Sequence, residues 1–208
     1  MKDNKSNFLN NLFNIKKQEK LAFQFFMKKK FREAEIIYTQ IIDLPNLEEI
    51  SYFNFALICS QKGNLEDAST YIQKALEINP SNFDGIMFLS NIYKKQSKFK
   101  EAIFSLKKAQ KLRSNSHEIF NNLGNIYNSQ GLHIKAISAY KKALKIKPNT
   151  LVTLINLGRA LNDKGDSLEA IKIFKKAIKN DPKSEFAYYF LANLYKKENN
   201  LDLAILNY

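Results

Sequence analysis

The 208-residue sequence holds one cysteine, two histidines, six glycines and four prolines, and each scarcity removes a class of protein. Cys59, being alone, can close no internal disulfide and build no thiolate zinc site, which fits a reducing compartment. His117 and His133 lack the i, i+4 spacing of a helical metal pair. Surface or capping roles account for them, and no metal is expected. Neither a dinucleotide-binding glycine fingerprint nor a phosphate-binding P-loop occurs, so no cofactor is expected either. The few glycines and prolines favour long regular elements over loops. No apolar run approaches the roughly 18–20 residues that span a bilayer. The N-terminal apolar cluster, Phe8, Leu9, Leu12 and Phe13, is broken by asparagine and lacks the uninterrupted segment and cleavage site of a secretory signal. A soluble cytoplasmic protein is expected.

Arginine is the next scarcity. The formal charge is +13, from 33 basic and 20 acidic residues, yet only Arg32, Arg113 and Arg159 are arginine. Direct reading of bases leans on the bidentate guanidinium, so no specific nucleic-acid partner is expected. Abundant Lys, Asn, Ile and Phe, with sparse Ala and Gly, also match the codon usage of an AT-rich bacterial genome. Lys107, Lys108, Lys141, Lys142, Lys172, Lys175, Lys176 and Lys179 read as a solvated outer face; a basic nucleic-acid or membrane adaptor is the weaker alternative. Hydrophobic residues at 45% and charged residues at 25% match globular proteins and exclude wholesale disorder.

What the chain does have is a repeat. Ala34, Ala68, Ala102, Ala136, Ala170 and Ala204 recur every 34 residues without a slip. Thirteen residues before each stands Leu21, Phe55, Leu89, Leu123, Leu157 or Leu191, followed always by a small residue: Ala22, Ala56, Ser90, Gly124, Gly158 or Ala192. Phe120, Leu123, Gly124 and Tyr127 fall at i, i+3, i+4 and i+7, one face of a helix. Gly131 ends that helix, and Ala136, Tyr140 and Ala143 repeat the pattern in a second one. Small residues mark the closest approach of the two helices, aromatics fill the gap one turn away, and Pro80, Pro148 and Pro182 prevent the second helix from continuing. A single hairpin buries too little surface, so neighbours stack around a shared core.

The pattern resembles the tetratricopeptide repeat, most closely in Asn122-Leu123-Gly124-Asn125-Ile126-Tyr127, Gly131, Ala136, Tyr140, Ala143 and Pro148, with Phe120 where that family often has Trp. The resemblance implies an all-α, right-handed superhelical solenoid of antiparallel helix pairs. Residues 1–14 read as an extension or short capping helix in which Phe8, Leu9, Leu12 and Phe13 cover the first hairpin. Units follow at 15–48, 49–82, 83–116, 117–150 and 151–184, with a partial sixth at 185–208. Unit three departs from the pattern, with Ser97 for the turn glycine and Ser114 for the proline; unit one does so with Gln18 and Ile41. The unfinished sixth unit is expected to continue in a longer protein or to dock on a partner, a second copy included.

No catalytic constellation is visible, and Glu33, Glu35, Glu101 and Glu169 read as a solvated face rather than a general-acid pair, so this segment is not expected to be an enzyme. The resemblance places function in an inner groove lined by the first helices. By register its residues are Asn54, Asn91, Asn121, Asn122, Asn125, Asn156, Arg159 and Asn193, flanked by Phe53, Met87, Ile155, Tyr189 and Phe190. Asparagine donates and accepts, so a ladder of amides can bracket an extended peptide backbone, similar to the ladder in O-linked N-acetylglucosamine transferases. The competing reading is that compositional bias scatters Asn over every exposed position. The carboxylate clamp of chaperone-binding members fits poorly, because Val152 and Asn156 stand at its cationic places. The expected function is a protein-interaction scaffold that binds a peptide or partner protein. The alternative is the substrate-binding arm of a larger glycosyltransferase or sulfotransferase.

Overall fold

The computed structural model describes residues 2–207, with side chains described from Phe13 onward, and among these residues all regular structure is helical. The elements are α1 (Lys2–Met27), α2 (Phe31–Ile41), α3 (Glu49–Gln61), α4 (Leu65–Ile78), α5 (Phe83–Lys95), α6 (Phe99–Leu112), α7 (His117–Ser129), α8 (His133–Ile146), α9 (Leu151–Lys164), α10 (Ser167–Asn180), α11 (Glu185–Lys197) and α12 (Leu201–Asn207). They fall into two compact units, Met1–Ser105 and Leu106–Tyr208. In the first, α1 packs on α2 and α3 on α4, with α5 against α4. In the second, α7–α8, α9–α10 and α11–α12 form hairpins, and α9 touches both α7 and α11.

The turn inside each hairpin follows one rule. Lys29, Gly63, Ser97, Gly131, Gly165 and Asn199, each 34 residues apart, all have positive φ between 57° and 97°. Around Gly131 its own N–H donates to the Asn128 carbonyl at 2.9 Å, and the Leu132 N–H reaches back to Tyr127 at 2.9 Å. The same two bonds recur at Gly165 and Asp166, and at Ser97 and Lys98. This is the Schellman closure, which satisfies orphan helix carbonyls and needs one left-handed residue. The left-handed conformation costs an L-residue roughly 1–2 kcal/mol, so glycine suits the position while Ser97 and Lys29 tolerate it. Starts of helices are fixed by asparagine and serine. Asn82 accepts from the Gly85 N–H at 2.8 Å, and Ser184 from the Ala187 N–H at 3.4 Å.

The core sits where the repeat puts its small residues. Ala34, Ala68, Ala102, Ala136, Ala170 and Ala204 are all buried. A Cβ built on Gly124 would lie 2.4 Å from the Tyr140 ring, and one on Gly158 2.7 Å from the Phe174 ring. Each ring therefore lies against bare backbone of the partner helix. In the first unit the equivalent contact is polar: the Ser90 hydroxyl donates to the Ala102 carbonyl at 3.1 Å. Pro80, Pro148 and Pro182 each stand two residues beyond the end of α4, α8 and α10.

Three expectations at the N-terminal end meet differences. Within residues 1–14, expected as an extension or short capping helix, the described residues are continuous with the first helix of unit one in a single helix from Lys2 to Met27. Phe13 is 71% exposed, while the side chains of Phe8, Leu9 and Leu12 lie outside the described residues. Leu21, at the repeat's leucine position, is 43% exposed. The cause is Glu19, which turns a different stripe of α1 inward with Ala22. Its Oε1 accepts from the Glu48 N–H and from the Ser51 hydroxyl, both at 2.8 Å, and so caps the start of α3. An anion at a helix N-terminus is favourable by dipole and hydrogen bond together.

Gly124→Ala is expected to lower unfolding stability by about 1–3 kcal/mol, the range for overpacking a filled core, read from urea denaturation. Ser97→Gly is expected to raise it by about 0.5–1 kcal/mol, through relief of the left-handed backbone. An unchanged or raised stability for Gly124→Ala would show that Tyr140 can retreat from the contact.

Candidate peptide-binding site

Because a 34-residue repeat returns every position to the same side of successive first helices, α7, α9 and α11 present matching stripes. Asn121, Asn122, Asn125 and Asn128 come from α7; Asn156, Arg159, Asn162 and Asp163 from α9; Phe190, Asn193 and Lys197 from α11. The stripes are cross-linked. Asn156 Nδ2 donates to Asn121 Oδ1 at 3.2 Å, and two turns further along Asn128 Nδ2 donates to Asp163 Oδ2 at 3.2 Å. His133 Nδ1 lies 2.9 Å from Asn128 Oδ1.

These bonds fix which way the amides face. The Tyr140 hydroxyl donates to Asn125 Oδ1 at 2.8 Å. Burial raises that hydroxyl's pKa well above its ordinary 10, against a lowering influence from Arg159 and with a raising one from Asp163, so it stays a donor. With its oxygen taken, Asn125 keeps its NH2 for another acceptor. The Asn121–Asn156 pair leaves the reverse combination, an Asn121 donor beside an Asn156 acceptor. One donor and one acceptor side by side are what the backbone of an extended peptide requires.

The α9–α11 end is different. The Arg159 guanidinium lies 5.2 Å from the Phe190 ring centroid, and Phe190 stacks on Phe174 with centroids 5.7 Å apart and planes 17° from parallel. Beside this stack a cleft of about 350 Å3 is lined by Arg159, Asn162, Asp163, Phe190, Asn193 and Lys197. Asn162 Oδ1 is buried there without a hydrogen-bond partner. Such an atom forgoes about 1–3 kcal/mol of solvation.

The residues named from the sequence are divided by the structure. Asn121, Asn122, Asn125, Asn156, Arg159 and Asn193 share the second unit, whereas Asn54 and Asn91 lie in the first. Asn91 is half-buried on α5. Asn54 is a correction: it is 2% exposed, and its Nδ2 donates to the Tyr38 hydroxyl at 3.2 Å, which binds α3 to α2. Its amide is spent inside the core because α2 presents a buried tyrosine there. Met87 and Ile155, expected to line the groove, are buried as well. The Tyr140 lock and the Phe174–Phe190–Arg159 stack escaped the sequence reading. A signal for both existed, since Asn125 precedes Tyr140, and Arg159 precedes Phe174, by the same 15 positions.

Elsewhere the lysines named for the second helices, from Lys107 to Lys179, are exposed. Among the described residues no group of three or more His, Cys, Asp and Glu side chains is placed to hold a metal, and no helix is long and apolar enough to cross a membrane. Cys59 is buried and free. Burial, with Asp67 and Glu35 adding to it and Lys62 opposing, pushes its thiol up to about 11.

Comparison with known proteins follows this geometry. Family models described as tetratricopeptide repeat match residues 115–183 and 50–82, and one described as TPR repeat matches 91–131. No curated protein matched the sequence. Among solved structures, YrrB, described as a TPR protein with an unusual peptide-binding site, is 25% identical, with 82% of this chain and 88% of that one covered and a TM-score of 0.54. A tetratricopeptide repeat protein from Parabacteroides merdae is 17% identical, with 93% and 77% covered and a TM-score of 0.75. MamA is 24% identical, with 73% and 89% covered and a TM-score of 0.59.

Tyr140→Phe keeps the ring against Gly124 and removes only the hydrogen bond to Asn125. A loss of about 0.5–1.5 kcal/mol in urea denaturation is expected, and no loss would mean that the amide is not held by the hydroxyl. Cys59, as a protonated buried thiol, is expected to resist iodoacetamide at pH 7.5 in the native chain and to react fully once urea unfolds it. Rapid native alkylation would show that the thiol is accessible.

Proposed function

This chain belongs to the tetratricopeptide repeat family, and on that premise we propose that it is a non-catalytic interaction scaffold whose α7, α9 and α11 face binds an extended peptide segment of a partner protein. The observation that carries the reading is the fixed orientation of the amides. Asn125 and Asn121 keep donors, Asn156 keeps an acceptor, and each is held by a neighbour rather than left to rotate. Preorganised groups lose less entropy on binding, so amides already locked are worth more than the same amides on a mobile surface. They address the backbone, which every peptide has, and so favour an extended segment over a folded epitope. Asn122, half-buried on the same helix, extends the row. The peptide-binding site of YrrB supports this reading by analogy of fold.

The test is a random-peptide display selection on the full chain, followed by titration of selected synthetic peptides. The triple variant Asn122→Ala, Asn125→Ala, Asn156→Ala is expected to weaken those peptides at least tenfold while helical circular dichroism and the thermal midpoint show an intact fold. If affinities hold despite the three changes, the peptide sits elsewhere.

A further inference from the structure

Beyond binding of a backbone, we infer that the cleft between α9 and α11 selects an acidic side chain, Asp or Glu, within the bound peptide. This rests on the peptide reading above and deepens it.

Three features of the cleft converge. The first is Arg159. Its side chain is exposed on α9, its guanidinium is laid over Phe190, and Phe190 is backed by Phe174. The guanidinium carbon lies over the ring, and among the described residues the N–H donors of the group make no hydrogen bond or ion pair. An arginine held this way has already given up much of the side-chain freedom that an ion pair would otherwise demand. The second is Lys197, which lines the same cleft and likewise forms no ion pair among the described residues. The one anion of the cleft, Asp163, accepts from Asn128 Nδ2 at 3.2 Å and keeps its charge, so two cations against one anion leave the lining net positive. A planar carboxylate fits the guanidinium edge with two parallel hydrogen bonds, and Lys197 adds a point charge.

The third feature separates an acidic peptide from a bare anion. Asn162 Oδ1, at the wall of the cleft, is an acceptor with no donor. A rotamer change that turns it toward the ligand would need an N–H to meet, and the backbone beside an Asp or Glu residue supplies one. A free carboxylate ion and the phosphodiester of DNA have no donor to offer it. The size agrees: about 350 Å3 is at the bottom of the roughly 300–1,000 Å3 range of ligand clefts, room for one side chain and its peptide unit. The formal charge of +13 favours approach of an acidic segment over a basic one.

The experiment uses the full chain and three fluorescein-labelled decapeptide pools of Ala, Ser, Gly and Leu that differ at one fixed position, which is Glu, Gln or Lys. Fluorescence anisotropy is expected to show the Glu pool binding about tenfold tighter than the Gln pool, and the Lys pool weaker than both. Arg159→Met and Lys197→Met should each shrink the Glu-over-Gln ratio toward one. Arg159→Lys, which keeps the charge but not the fork, should recover less than half of the logarithm of that ratio. Equal affinity for the Glu and Gln pools overturns the inference and leaves the peptide reading standing. Failure of all three pools to bind overturns both. Competition by inorganic phosphate or polyuridylate as effective as that by unlabelled Glu peptide would show a general anion site, and the inference would fall.

Discussion

The contact on which the rest depends is an aromatic ring laid on bare helix backbone. Where α7 meets α8 the absent side chain of Gly124 admits Tyr140, and where α9 meets α10 that of Gly158 admits Phe174. Helices with ordinary side chains at their crossing keep their axes some 8–10 Å apart, and a missing Cβ lets the ring take the space between them. The ring is too long to end inside the hairpin. Its far edge, still buried, reaches the side on which the first helices lie next to one another. Tyr140 there meets Asn125, and Phe174 meets Phe190 beneath Arg159. Core packing and site geometry are thus one arrangement seen from its two ends, and a change at either glycine is felt at the surface.

The turns show how loosely a strict geometry can be encoded. Six residues with positive φ recur in register, and only three of them are glycine. The closing hydrogen bonds are the same at Ser97 as at Gly131, so the Schellman pair imposes the conformation and the residue only modulates its cost. That explains how the departure of unit three from the family pattern leaves its hairpin turn intact. Strain of roughly 1–2 kcal/mol is small beside what a buried hairpin face contributes.

The helix pairs were legible because their determinants are local and periodic. Alanine every 34 residues, a small residue after each leucine or phenylalanine and a proline past three of the second helices are all read along the chain, and the structure puts them at buried crossings and helix ends. What stayed hidden depends on partners 16 to 32 residues apart. Glu19 looks like one more surface acid of a lysine-rich helix until Glu48 and Ser51 are brought to it, and its burial then displaces Leu21 from the interior. Asn54 shares the register of Asn122 and Asn156, yet Tyr38 stands opposite it, and one hydroxyl turns a surface amide into a core one. Register tells which side of a helix a residue is on. It does not tell what the preceding hairpin has placed there.

The charge of the chain has to be divided in the same way. Most of its cations are lysines on flexible stems, many of them exposed on second helices, and each interacts with a partner through water and salt. Collectively they set a field, which governs how fast an acidic partner arrives and falls away with ionic strength. Arg159 differs in kind. Its guanidinium is already stacked on Phe190, so the ordering that an ion pair demands of a free lysine has been met by the fold before a ligand appears. Interactions of that sort act on dissociation and discrimination rather than on arrival. A sequence with thirty lysines and three arginines can therefore owe its approach to the many and its selectivity to one, and the one is recognised by the aromatic pair beneath it.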